Sequence, residues 1–175
     1  MFEIGENIVY GTTGVCRVAD VGTMNLSGAS KDRLYYTLIP AGERDGRIYT
    51  PVDNEKVVMR PVLTKEEAEN LISEIAEIEN IWVADEKRRE LIYKEELHKC
   101  DCRAWVKIIK TLYLRKQSRL AAGKKVTAVD EKYLRIAETN LYGELALALG
   151  MKADEVEAYI TRRVTEQKAA EQECE

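Results

Sequence analysis

Val57-Val58-Met59-Arg60-Pro61-Val62-Leu63-Thr64-Lys65-Glu66-Glu67-Ala68 holds the point at which the hydrophobic period of the chain changes. Before Pro61 the apolar residues fall in short runs bounded by glycine and asparagine, as strands do. Beyond it they recur every three or four residues, as on one face of a helix. Thr64-x-x-Glu67 is a capping box, in which the threonine hydroxyl and the glutamate each satisfy an orphan N–H of the first turn. Ala68, Leu71, Ile72, Ile75 and Ile78 then predict a single helical stripe. The chain is therefore expected to be α+β, with its boundary near residues 61–64.

On the N-terminal side of that boundary, Asn7-Ile8-Val9-Tyr10 reads as a short strand between Gly5 and Gly11. Residues 14–21 alternate apolar and polar, the period of a half-buried strand. A turn-rich stretch at 25–30 leads to a third strand over 33–39. Pro40-Ala41-Gly42 and Asp45-Gly46 then punctuate a hairpin into Arg47-Ile48-Tyr49-Thr50. With Val57-Val58-Met59-Arg60 this makes five short, closely spaced strands, which predict a small, strongly bent sheet or SH3-like barrel.

On the C-terminal side the pattern is helical throughout. Helices are expected over 85–98 and 101–120, the latter burying Trp105, Ile108, Ile109 and Leu112. Gly123 breaks the period, and Thr127-x-x-Asp130 caps a long helix with Leu134, Ala137, Leu141, Leu145 and Leu149 on its core stripe. Gly150 is its expected stop. A last helix over 153–163 precedes a frayed tail at 166–175. The organisation read from the sequence is a β module at 1–63 followed by an all-α helical bundle at 64–165.

The chain has 175 residues, 45% apolar and 33% charged, the profile of a soluble globular protein. Its longest apolar runs fall far short of the roughly 20 residues a bilayer requires. The N-terminus lacks the basic and apolar regions of a secretory signal, so a cytoplasmic location is expected. Cys16, Cys100, Cys102 and Cys174 have no disulfide-framework spacing, which fits reduced thiols. His98-x-Cys100-x-Cys102 offers three metal donors, but C-x-C is not a zinc knuckle and no second pair follows. Neither metal nor cofactor is expected. The single histidine, His98, has no nucleophile elbow or phosphate loop near it, so the inventory points away from an enzyme.

Charge is unevenly placed. Residues 101–137 carry ten basic and three acidic side chains, inside a protein whose formal net charge is −4. Arg115, Lys116 and Arg119 crowd one helix end, and Lys124 and Lys125 follow on the next turn. Such a block attracts a polyanion, although a solvated face explains it too. Trp105 belongs to the core stripe. Trp82, just before Lys87-Arg88-Arg89, could wedge into a distorted DNA step or staple two helices together. Its neighbours Ile81 and Val83 favour the staple.

Phe2-x-Ile4-Gly5-x-x-Ile8-Val9-Tyr10-x-x-x-Gly14-Val15 resembles the opening of the CarD/CdnL family of bacterial RNA-polymerase-binding regulators, a module shared with transcription-repair coupling factors. The resemblance continues through Pro51-Val52, Val57-x-x-Arg60, Arg88-Arg89, Ala122-Gly123-Lys124-Lys125 and Ala137-Glu138-x-x-Leu141-x-Gly143-Glu144-Leu145-Ala146.

The resemblance implies a Tudor-like barrel that docks on the polymerase β subunit by strand pairing through Arg47, Ile48, Tyr49 and Thr50. It also implies a helical domain that contacts promoter DNA, through its backbone and minor groove and without sequence specificity, and stabilises the open complex. Arg88, Arg89, Lys124 and Lys125 would carry those contacts, with Trp82 as a shifted substitute for the family's wedge tryptophan. The family's Asn-Trp pair before the two arginines is absent, and Glu86 or a near neighbour stands there, where a carboxylate would repel DNA. Gly11-Thr12-Thr13 replaces a proline-histidine motif, and two basic polymerase-contact positions fall on Met24 and Tyr49. The protein thus resembles a divergent, monomeric member. The competing expectation is an adaptor whose helical domain binds another protein instead of DNA.

Overall fold

The computed structural model describes residues 1–25, 27–28, 30 and 32–173. Cys174 therefore lies outside the described residues, as do Leu26 and Ala29 of the turn-rich stretch. Backbone proximity divides the chain into two units, Met1–Val62 and Leu63–Glu175.

The first unit is an antiparallel sheet of β1 (Asn7–Tyr10), β2 (Gly14–Thr23), β3 (Leu34–Pro40), β4 (Ile48–Pro51) and β5 (Met59–Pro61). Their order across the sheet is β4-β3-β2-β1-β5. β2 is shared: its first half pairs with β1 and most of its length with β3. Between Val18 and Asp20 the register slips by one residue. That bulge shifts the side-chain phase, so Cys16, Val18 and then Val21 all turn toward the core. Ile8, Tyr36 and Leu38 complete the core, with Phe2 and Met59 packed against it. The Tyr36 hydroxyl also accepts the N–H of Phe2 at 2.8 Å. At Gly11, φ is +48° and a Cβ would lie 2.7 Å from Val57 Cγ1, so only glycine fits this turn.

The barrel expected from the strand spacing is not closed among the described pairings, because β4 and β5 remain the two edges of the sheet. Both are short and both end in a proline, which has no N–H to extend a ladder.

The second unit contains α1 (Lys65–Glu74), α2 (Arg89–His98), α3 (Cys102–Ala121), α4 (Ala128–Leu149) and α5 (Ala153–Glu173). The Thr64–Glu67 capping box is present in both directions. α1 stops at Glu74, short of the expected Ile78. There the ammonium of Lys110 on α3 donates to the carbonyls of Ile75 (2.8 Å) and Ala76 (3.2 Å), and also to that of Ile78. A cation at a helix C-terminus satisfies carbonyls that have no helical partner, which ends the helix without loss. Asp101 and Thr127 cap α3 and α4, and Gly150 closes α4 in the left-handed region. Where the sequence places α2 from residue 85, a 3-10 turn at Glu86–Arg88 comes first. α5 runs beyond the expected residue 163 to Glu173, with Arg162–Glu166 paired along its surface. Trp105, Tyr93, Ile72, Ile108, Leu112, Leu141 and Leu145 are the largest apolar side chains buried between these helices. Among the described residues no helix is long and apolar enough to cross a membrane.

Candidate functional site

In the first unit the residues of interest lie on β4. The N–H of Val52 donates to the Leu34 carbonyl at 3.0 Å. With Tyr36 opposite Thr50 and Leu38 opposite Ile48, antiparallel alternation directs the backbone groups of Ile48 and Thr50 to β3. The N–H and carbonyl of Tyr49, and the carbonyl of Arg47 just before the strand, consequently point away from the sheet. The outward carbonyl of Pro51 accepts the N–H of Asn54 at 3.1 Å, which ends the open edge. Side chains divide in the same way. Thr50 is buried and receives the Asn54 amide at 2.8 Å, and Ile48 packs against the core. Arg47 and Tyr49 are exposed and, with Asp20, Tyr35, Thr37 and Ile39, line a shallow cleft of about 590 Å³. Of the four residues predicted to dock, two present side chains and two hold the strand in place.

In the second unit, Trp82 is 82% exposed. It does not staple helices together, contrary to the balance read from Ile81 and Val83. The Ile81 N–H is fixed to Thr111 Oγ1 on α3 at 2.8 Å, and Ile81 and Val83 are half-buried, so the residue between them faces solvent.

The two arginines part company. Arg88 is exposed, whereas the guanidinium of Arg89 is held inside a network. It donates Nε and Nη2 to the Glu86 carboxylate at 3.0 and 2.6 Å, and Nη1 to Tyr93 Oη at 2.6 Å. Arg115 of α3 approaches the same carboxylate with Nη1 and Nη2 at 3.2 and 3.1 Å, and gives Nε to buried Asp130 at 2.7 Å. Hydrogen bonds from Arg89, with Arg115 adding its charge, hold the Glu86 carboxyl below its ordinary value. Tyr133 adds a hydroxyl bond to Glu90 at 3.3 Å beside this network. Glu86, read from sequence as a lone repulsive charge, is gripped by two cations.

Lys124 and Lys125 are exposed on the α3–α4 turn. Arg119 anchors that turn: its Nε donates to the Lys125 carbonyl and its own carbonyl accepts the Lys124 N–H, both at 2.8 Å. Gly123, at φ +71°, makes the bend. Arg115 and Arg119 are four residues apart and share a face of α3. They connect the Glu86–Arg89 group to the lysine turn. The sequence signal for Arg115 was its place in the basic block, but only packing shows that it faces Glu86.

His98 is exposed, with Nδ1 at 2.6 Å from the Lys94 carbonyl, whereas the Cys102 thiol turns inward to Glu144. Among the described residues no three His, Cys, Asp or Glu side chains are grouped as metal ligands.

Residues 2–63 match the family model of the CarD-like/TRCF RID domain.

Proposed function

We propose, from the premise that residues 2–63 are a CarD-like/TRCF RID domain, that the chain is a bacterial transcription regulator that docks on the polymerase β subunit through the outer edge of β4. The observation that carries this reading is the open edge itself, where Arg47 and Tyr49 direct backbone donors and acceptors outward beside a cleft that includes the rings of Tyr35 and Tyr49. An incoming extended segment would add as a strand, gaining affinity from main-chain bonds and selectivity from that cleft. A Tudor-like curvature belongs to the same reading, with the Val18/Asp20 bulge bending β2. The helical unit would meet promoter DNA through Trp82, Arg88, Arg89, Lys124 and Lys125 and favour the melted state by binding it more tightly than the duplex. The protein would act as a monomer in the cytoplasm, without metal or cofactor and without catalysing a reaction.

A second reading is favoured by one observation: Arg89 and Arg115 are already engaged by Glu86 and Asp130. In it the polymerase contact stands and the helical unit binds a protein instead of DNA. The test is retention of bacterial RNA polymerase on the immobilised full-length protein, followed by binding of a forked promoter fragment. Retention with salt-sensitive DNA binding upholds the first reading. Retention without it moves the adaptor reading forward, and failure to retain polymerase overturns both.

A further inference from the structure

Arg89 and Arg115 aim two guanidinium forks at one solvent-facing carboxylate. Their side chains are only 14% and 21% exposed, whereas that of Glu86 is 63% exposed. Tyr93 fixes the first fork from behind and Asp130 the second. The cations are thus built into the helical unit, and the anion is its outward, replaceable member. Two planar forks converging on one pair of oxygens is the arrangement that also receives a phosphate.

We propose that Arg89 and Arg115 form a binding site for a nucleic-acid backbone phosphate, which the carboxylate of Glu86 fills in the unbound protein and vacates when DNA arrives. The inference rests on the reading that the helical unit meets DNA. It goes further by adding Arg115 and by making Glu86 a competitor for the site. With Glu86 in place, the charges of Arg89, Arg115, Glu86 and Asp130 cancel. With Glu86 swung out, one positive charge is left to meet the single charge of a phosphodiester. The polyanion has an advantage over the resident carboxylate, because exposed Arg88, Lys124 and Lys125 attract it as well.

Asp130 identifies the competing fate of the site. Among the described residues its buried Oδ1 meets no hydrogen-bond donor, because Arg115 gives this carboxylate Nε alone and turns its terminal nitrogens outward. If Glu86 left and Arg115 rotated to grip both oxygens of Asp130, the fork would no longer face solvent.

Fluorescence anisotropy of the full chain with a forked DNA, across a salt series, tests this with three proteins: unsubstituted, E86Q, and E86Q with R115K. E86Q is expected to bind about tenfold tighter near 100 mM salt, with a log–log salt slope steeper by about one phosphate contact. R115K keeps a cation beside Asp130 but removes the fork, so it should abolish most of that gain. Equal affinities for E86Q and the unsubstituted protein would overturn the proposal while leaving DNA contact intact. A gain that survives R115K would overturn it too, since it would come from elsewhere. Binding by E86Q alone would uphold the phosphate site and refute DNA contact by the unsubstituted chain. No binding by any of the three would refute both.

Discussion

The Cys102 thiol donates to Glu144 Oε2 at 3.0 Å inside the helical unit, while Oε1 of the same carboxylate accepts the N–H of Leu63 at 2.9 Å. Glu144 is fully buried and Cys102 nearly so. A buried carboxylate persists only where its oxygens are bonded, and these two bonds fasten the chain entering α1 and the start of α3 to α4. Glu144→Leu would leave the Leu63 N–H without its acceptor, at a cost of about 2 kcal/mol. Glu144→Gln keeps an acceptor oxygen and should lose less. Urea unfolding midpoints of the two variants measure the difference, and equal midpoints would show that these bonds contribute nothing.

Tyr49→Pro separates the strand's docking role from its structural role. The Tyr49 N–H points away from β3, so a proline there removes an outward donor and leaves the β3–β4 ladder intact. The variant should melt within a few degrees of the parent, by the small cost expected at an edge position, yet lose most polymerase retention. Thr50→Pro, whose N–H faces β3, should lower the melting temperature instead. Full polymerase retention by Tyr49→Pro would exclude this edge as the docking strand.

Glu86 sets a pH dependence. Its folded pKa lies below the ordinary value of 4.5, so its ion pairs stabilise the fold fully above that value. The contribution disappears as pH falls through the lowered folded pKa, when the carboxyl protonates and releases both arginines. Carbon-detected NMR titration of the Glu86 carboxyl should give a midpoint below 4.5, moving upward in Arg89→Gln, since Arg89 is its foremost partner. An unchanged midpoint in that variant would contradict the network.

Burial pushes the Cys16 thiol up to about 11, with the Glu43 charge adding to the effect. Cys16 should therefore resist alkylation of the native protein at pH 8 and react once the sheet is unfolded, because the thiolate is the nucleophile. Peptide mass spectrometry after pulse labelling locates the modification. Rapid native labelling at Cys16 would mean that the sheet opens far more readily than its packing suggests.

The order of strands and helices and their change at Pro61 were legible from the sequence, because hydrophobic period, capping box and glycine stop are local signals. Asp101, Thr127 and Gly150 stand where those signals put them. The end of α1 was not legible, since it depends on Lys110, a residue 36 positions beyond Glu74 that reaches across from another helix. The exposure of Trp82 was missed for a similar reason. Ile81 and Val83 suggested a buried junction, but the tie from Ile81 to Thr111 decides which way each of the three turns.

The candidate site divides along the same line. Sequence alone determined which residues carry charge and that basic ones are dense between 101 and 137, because composition needs no coordinates. Which of those charges are available to a ligand was decided only by tertiary structure. Arg88 and Lys124 stay at the surface, while Arg89 and Arg115 converge on Glu86 from α2 and α3, and Asp130 reaches Arg115 from α4. Ion pairing requires contact within a few ångströms, and for residues 29 positions apart only the packing of helices creates that contact.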